Sequence, residues 1–157
     1  MRFVSRWLCA AAIITMTGPV LAQPGATPTP ESRPSESGFS LVDAVRNNDG
    51  ATAKRLLDTN PKLVNQANKD HETALHWAAI NGSVDLVMAL IENGAVVDAR
   101  TKDEWTPLHW AVLKGQKPVV RYLLDHKADI KAQTGDLWTP LHIAAYLENR
   151  DIVEMLV

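Results

Sequence analysis

The sequence predicts an all-α solenoid, a stack of paired antiparallel helices joined by β-hairpin loops. A short box of threonine, one further residue, leucine and histidine returns at a constant interval of 33 residues, with its threonine at Thr73, Thr106 and Thr139. After each box, apolar residues recur with the spacing of two short helices. Internal periods of about 20–50 residues are typical of stacked arrays, in which neighbouring units share one core.

Residues 1–22 have the organisation of a secretory signal peptide. Two arginines precede the apolar run WLCAAAIITM, and Val20 and Ala22 occupy the −3 and −1 positions of a cleavage site before Gln23. A membrane anchor needs about 20 apolar residues, and a lipoprotein signal would carry its cysteine after the run, whereas Cys9 lies near its beginning. We therefore expect cleavage near Ala22 and export, either to the periplasm or out of the cell.

Residues 23–38 are predicted to be a disordered linker rich in proline, serine and threonine. The segment QPGATPTPESRPSES has four prolines, no aromatic residue and almost no apolar side chain. Such a segment cannot bury enough surface to offset the entropy lost on ordering. A ligand for a proline-binding module is the less favoured interpretation.

Composition excludes several classes of function. The chain has 157 residues, of which 46% are hydrophobic and 22% charged, as in an ordinary soluble domain. Its net charge of −2 provides no basic excess for nucleic acid or anionic membranes. We expect no nucleic-acid partner and no stable membrane insertion after signal cleavage.

Residues 39–157 are predicted to form the solenoid. The four units are a degenerate capping unit at 39–69, two complete units at 70–102 and 103–135, and an incomplete unit at 136–157. In the third unit, Thr106 can cap a helix whose first position is Pro107. This helix is expected to run to Lys114 and stop at Gly115, and Pro118 then opens a second helix.

The pattern resembles the ankyrin repeat. The resemblance rests on residues 70–100, 103–133 and 136–157, which begin DHETALHWAA, DEWTPLHWAV and DLWTPLHIAA. The first unit lacks the box, as expected of a solvent-facing cap. The resemblance implies a non-catalytic protein–protein interaction module, in this case an exported, periplasmic-type bacterial member of the family.

Four positions depart from the family pattern. His71 and Glu104 stand where the family usually has glycine in its hairpin turn, and Lys127 stands where Gly94 ends a helix one unit earlier. Glu148 replaces the helix-ending glycine of the two preceding units, so we expect the turn there to use the next residue, Asn149.

The sequence ends inside the second helix of the fourth unit, at Val157. This leaves an apolar stripe with no polar cap, which terminal repeats normally have. The two alternatives are a fragment that ends inside the fourth repeat, which we favour, and an edge covered by a partner.

Metal binding and catalysis are not predicted, and we expect no cofactor. His76, His109 and His142 fall on successive units, where neighbouring helices pack about 8–10 Å apart, too far for one zinc ion held at about 2 Å. The resemblance implies that each histidine instead bonds the backbone of a neighbouring loop. The sequence has no glycine-rich phosphate loop, and its one cysteine is removed with the signal peptide, so the prediction is a protein that is not an enzyme.

The candidate site is a partner-binding surface made of the hairpin tips (70–72, 103–105 and 136–138) and the exposed side of the first helices, which the resemblance places on the concave face. Large aromatic residues are enriched at binding hot spots. The alternative is that the tryptophans only fill the junction between hairpin and helix. The predicted surface consists of Asp70, His71, Glu72, Trp77, Asn81, Asp103, Glu104, Trp105, Trp110, Lys114, Asp136, Leu137 and Trp138.

The partner is predicted to be another folded protein of unknown identity. Three versions remain open: support of a periplasmic enzyme, an immunity protein against a toxin delivered to the periplasm, and a secreted effector that binds a host protein. A purely structural spacer is the alternative of a different class, and it would have no specific partner.

Overall fold

The computed structural model describes residues 40–157, so the predicted signal peptide and linker lie outside the described residues. The described part contains eight α-helices and one 3₁₀ helix, and an isolated antiparallel bridge joins Ala67 to Thr73. The helices are α1 (Leu41–Arg46), α2 (Gly50–Thr59), the 3₁₀ helix (Pro61–Asn65), α3 (Ala74–Asn81), α4 (Val84–Glu92), α5 (Pro107–Leu113), α6 (Lys117–Asp125), α7 (Pro140–Tyr146) and α8 (Arg150–Leu156).

The helices pack in two rows. The first helices of the units, α1, α3, α5 and α7, contact one another in order, and we call them the inner row. The second helices, α2, α4, α6 and α8, form the outer row in the same way, and each packs against its partner within the unit. This arrangement confirms the predicted all-α solenoid. None of the helices in residues 40–157 has the length and apolar character needed to cross a bilayer.

The third unit shows why the box begins a helix. Thr106 has an extended backbone (φ −101°, ψ 164°), and its hydroxyl accepts a hydrogen bond from the His109 amide at 3.5 Å. Pro107 fits the first helical position because no amide donor is needed there. The helix ends at Leu113, with Lys114 as its cap, one residue earlier than predicted, and α6 begins at Lys117.

The core is a repeated apolar stripe that neighbouring units share. Residues at equivalent positions of successive units are completely buried, and burying one such leucine or valine contributes about 1.5–3 kcal/mol. The clearest series are Leu75 and Leu108, Ala78, Ala111 and Ala144, Val87 and Val120, and Leu90 and Leu123, all 0% exposed.

One side of the fourth unit is more exposed than the same side of units two and three. Leu141 is 38% exposed, whereas its equivalents Leu75 and Leu108 are fully buried. Ala145 is likewise exposed and Val153 half-buried, although their equivalents in the third unit are buried. The difference arises because units two and three are covered on this side by the following unit.

Several turns use a left-handed backbone without glycine. As the departures from the family pattern suggest, His71, Glu104 and Lys127 have positive φ angles of 60°, 61° and 64°. Within residues 40–157, the other non-glycine residues with positive φ are Asn48, Leu137 and Glu148. A side chain in this conformation costs roughly 1–2 kcal/mol, since Cβ crowds the backbone.

The expectation that Asn149 would form the fourth unit's turn is wrong. Glu148 itself adopts the left-handed conformation, with φ 54°. The reason is the bonding at the end of α7, where the amides of Glu148 and Asn149 donate to Ala145 and Ala144 at 3.1 and 3.0 Å. Asn149 instead caps α8, and its side chain accepts from the Ile152 amide at 3.4 Å.

Alanine substitutions at two glycines measure the cost of backbone strain separately from effects of packing. Gly94 has φ +85°, and a Cβ at this position would meet no atom within 4 Å. We therefore expect Gly94→Ala to lower the free energy of unfolding by about 1 kcal/mol through backbone strain alone. The control is Gly50→Ala in the first turn of α2, which should be neutral or stabilising by at most about 1 kcal/mol. Urea unfolding measures both, and a neutral Gly94→Ala would contradict the interpretation.

Candidate functional site

In units two and three, the box histidine connects the unit to the next one. The Nδ1 atom of His109 accepts a hydrogen bond from the Thr106 amide at 3.1 Å, so the ring proton is on Nε2. That nitrogen donates to the Trp138 carbonyl of the following hairpin at 3.2 Å. His76 repeats the arrangement, with its Nδ1 3.1 Å from the Thr73 amide and its Nε2 3.1 Å from a carbonyl one unit ahead.

This geometry requires neutral imidazoles. Burial lowers the pKa of His76 and His109 from 6.5 to about 4, although the carbonyl bonds partly oppose the shift. His142 makes the same bond to the Thr139 amide, at 3.2 Å, but its ring is exposed. The role that the resemblance implies for the histidine is therefore confirmed in two units. Within residues 40–157, no three His, Cys, Asp or Glu side chains are grouped to hold a metal ion.

The hairpin tips form a row with fixed spacing. The Lys102 amide donates to the Asp70 carbonyl at 3.0 Å, and the Gly135 amide donates to the Asp103 carbonyl at 2.9 Å. Backbone bonds therefore join each tip to the next. The ion pairs Lys102–Asp70 at 3.3 Å and Arg100–Glu104 at 2.8 Å add little stability because they are exposed.

The predicted contact residues differ in how much surface they offer. Seven are exposed: Asp70, His71, Asp103, Glu104, Lys114, Asp136 and Leu137. Four are half-buried: Trp77, Asn81, Trp105 and Trp138. Glu72 and Trp110 are each only 6% exposed, so they contribute almost no surface to a partner.

The buried residues have partners inside the chain. The Glu72 carboxylate accepts from the Asn68 side-chain amide at 2.6 Å. The Trp110 ring lies edge-on to Trp77, with centroids 5.4 Å apart, and 5.4 Å from the His76 ring. Much of the Trp110 surface is therefore used in packing between units.

Trp77 and Asn81 also contact the first unit. The Arg46 guanidinium carbon lies 5.0 Å from the centroid of the Trp77 ring, within cation–π range. The Asn81 side-chain amide donates to the Val45 carbonyl at 2.7 Å. These contacts give both residues a part in stacking the units, beside any contact with a partner.

Sequence reasoning missed exposed residues on the inner row. Leu113 and Tyr146 occupy equivalent positions at the ends of α5 and α7, and both are exposed. The signal for Leu113 was its position three residues after Trp110, on the same side of a helix. Arg46 carried no comparable signal, since its unit lacks the box.

Comparisons with known families agree with this architecture. A family model described as ankyrin repeats (3 copies) matches residues 41–134, and one described as ankyrin repeats (many copies) matches residues 113–157. Together the two matches extend over nearly all of the described chain.

Similar curated proteins match over short segments. The palmitoyltransferase Hip14 of Drosophila melanogaster is 37% identical over 68 residues, 43% of this chain and 10% of that protein. The palmitoyltransferase AKR1 of Yarrowia lipolytica is 41% identical over 56 residues, 36% of this chain and 8% of its own length. The E3 ubiquitin-protein ligase XBAT33 of Arabidopsis thaliana is 44% identical over 62 residues, 39% of this chain and 12% of the ligase. The chain thus spans a small part of each relative.

The buried histidines predict a pH-dependent stability. With a pKa of about 4 in the folded protein and 6.5 as the ordinary value, His76 and His109 bind fewer protons folded than unfolded between these pH values. Stability should be greatest above pH 6.5 and fall as the pH drops toward 4, by at most about 1.4 kcal/mol per pH unit for each histidine. Urea unfolding between pH 7.5 and 4.5 measures the slope.

Replacing one of the two buried rings tests this assignment. His109→Gln removes one buried imidazole and should reduce the slope. A free energy of unfolding that is flat between pH 7.5 and 4.5 would show that the imidazoles are not held neutral by burial.

Proposed function

Because the chain belongs to the ankyrin-repeat family, we propose that it is a non-catalytic binding protein that recognises a partner through its hairpin tips and the inner row of helices. The repeats themselves indicate a protein–protein interaction module. The use of this particular surface is the further step. Large rigid surfaces bind with a small loss of conformational entropy, which favours a pre-organised array.

The observation that carries the proposal is the fixed row of exposed tips. Backbone bonds from Lys102 to Asp70 and from Gly135 to Asp103 set the spacing of the tips, while Asp70, Asp103 and Glu104 remain exposed. The scaffold is thus held together by backbone groups and buried histidines. The exposed tip side chains are left available for contacts with a partner.

The place of action is proposed from the amino-terminal sequence. Residues 1–22 have the features of a secretory signal peptide, which supports export to a bacterial periplasm or secretion. Three versions of the role stay open. They are support of a periplasmic enzyme, an immunity protein that neutralises a delivered toxin, and an effector that binds a host protein.

We do not extend the enzymatic activities of the relatives to this chain. The matched palmitoyltransferases and ubiquitin ligase share their ankyrin regions with it, over at most 12% of their lengths. What is shared is therefore the repeat scaffold. We propose the binding role on that basis and no transferase or ligase activity.

Affinity capture tests the proposal. The tagged protein, after removal of the predicted signal peptide, is purified from an envelope extract of its own cells, and bound proteins are identified by mass spectrometry. A partner that binds the purified chain directly in isothermal titration calorimetry supports the proposal. The absence of any direct partner would favour a structural spacer, and turnover of a substrate by the chain alone would overturn the binding role.

Exposed polar residues on the proposed surface can be removed without disturbing the core. We expect the triple variant His71→Ala, Glu104→Ala and Lys114→Ala to bind the identified partner about tenfold or more weakly. The three side chains are exposed, and the substitutions should change the free energy of unfolding by only about 1–2 kcal/mol in total. Calorimetry gives the affinity, and urea unfolding gives the stability.

A matched control removes three exposed charges from the outer row. Lys54, Glu92 and Arg121 lie on α2, α4 and α6 and are exposed. Their joint replacement by alanine should leave the affinity within about twofold of the unmodified chain. If this variant loses the partner and the tip variant keeps it, the partner binds the outer row.

A further inference from the structure

The third and fourth units carry an exposed apolar patch on the side of the tips and the inner row, defined by Leu113, Leu137, Trp138 and Tyr146. Leu137 is 69% exposed and Tyr146 61%. The Trp138 ring stands edge-on to Tyr146, with centroids 5.5 Å apart and an interplanar angle of 79°. Leu113 and Tyr146 are equivalent residues at the ends of α5 and α7, which pack against each other.

Leu137 is the most informative member of the apolar patch. It occupies the left-handed hairpin position, with φ 64°, where the two preceding tips carry the polar residues His71 and Glu104. A glycine would relieve the backbone strain, and the exposed leucine gains little burial within the chain. A side chain that is both strained and exposed contributes little to the fold, which favours a role in contact outside the chain.

On the side of the tips, the cations Lys102 and Arg100 are paired with Asp70 and Glu104, whereas two aspartates near the apolar patch have no such partner among the described residues. Asp136 precedes Leu137 directly, and Asp103 lies on the adjoining tip, joined through the Gly135 amide at 2.9 Å. Both aspartates are exposed, and neither forms a salt bridge with another residue in 40–157. Lys114, next to Leu113, lies at the opposite end of α5 from the tips.

We infer that the apolar patch anchors a partner segment in which a large apolar side chain is next to lysine or arginine. The inference rests on the proposed protein-binding function and specifies its location and chemistry. The apolar side chain would be placed against Leu137, Trp138 and Tyr146. The neighbouring cation would lie beside Asp103 and Asp136, at the rim, where opposite charge mainly sets specificity and the association rate.

The test uses a random 12-residue peptide library displayed on phage, selected on the purified full chain. We expect enrichment of peptides with a large apolar residue beside Lys or Arg. Synthetic peptides from the enriched set should bind Leu137→Gly at least about tenfold more weakly, because the anchor contact is removed. The thermal midpoint of this variant should not decrease, since glycine suits the backbone at this position.

Lys127→Gly is the matched control. Lys127 has the same φ of 64° but lies in the turn after α6, outside the patch and the tips. The substitution relieves the same kind of strain and should leave peptide affinity unchanged. Asp136→Asn should lower the affinity for the peptides and make that affinity depend less on salt concentration.

Three results of the peptide experiments would overturn the inference. They are the enrichment of no peptide, enriched peptides without Lys or Arg, and peptides that bind Leu137→Gly as well as the unmodified chain. Sedimentation velocity tests whether the patch binds a second copy of the chain instead. If the chain self-associates and Leu137→Gly abolishes this, the second copy is the occupant and the inference is overturned. A cellular partner that binds the unmodified chain and Leu137→Gly equally would leave the proposed function standing and overturn only this location.

Discussion

The hydrogen bond from a buried, neutral histidine to the next hairpin is the interaction on which the array depends. It joins the helix of one unit to the loop of the following one, through His76 to Trp105 and through His109 to Trp138. The same ring closes the capping box of its own helix, so one side chain begins a helix and sets the position of the next unit. Because each unit contacts only its neighbours, a displacement at this hydrogen bond would shift the position of every following unit.

The sequence was sufficient to predict the architecture because the period and the caps are local signals. Thr106, Pro107 and Gly115 mark the limits of a helix through their own backbone preferences, and the structure differs by one residue at the end of α5. The turn at Glu148 was misjudged for a related reason. Side-chain preference favoured Asn149, but the amide bonds at the end of α7 decide which residue is left-handed.

The candidate surface could be predicted only in outline. The repeat pattern assigns equivalent residues to one side of a helix. The burial of each side chain, however, depends on residues from other units. Trp110 is buried because Trp77 and His76 pack on it, and Trp77 is covered by Arg46 from a unit that the box does not identify. Leu137 was included for its position at a tip, whereas its exposure and strained backbone became visible only in three dimensions.

The row of tips also has a length scale. Stacked helices lie about 8–10 Å apart, so backbone-linked tips should repeat at a similar distance. A polyproline II segment shows the same side every third residue, about 9.3 Å along its axis, which is commensurate with that repeat. An α-helix presents the same side about every 5.4 Å and would match the row only with every second turn. Any contact that repeats along the row of tips would therefore have to follow a period of about 8–10 Å.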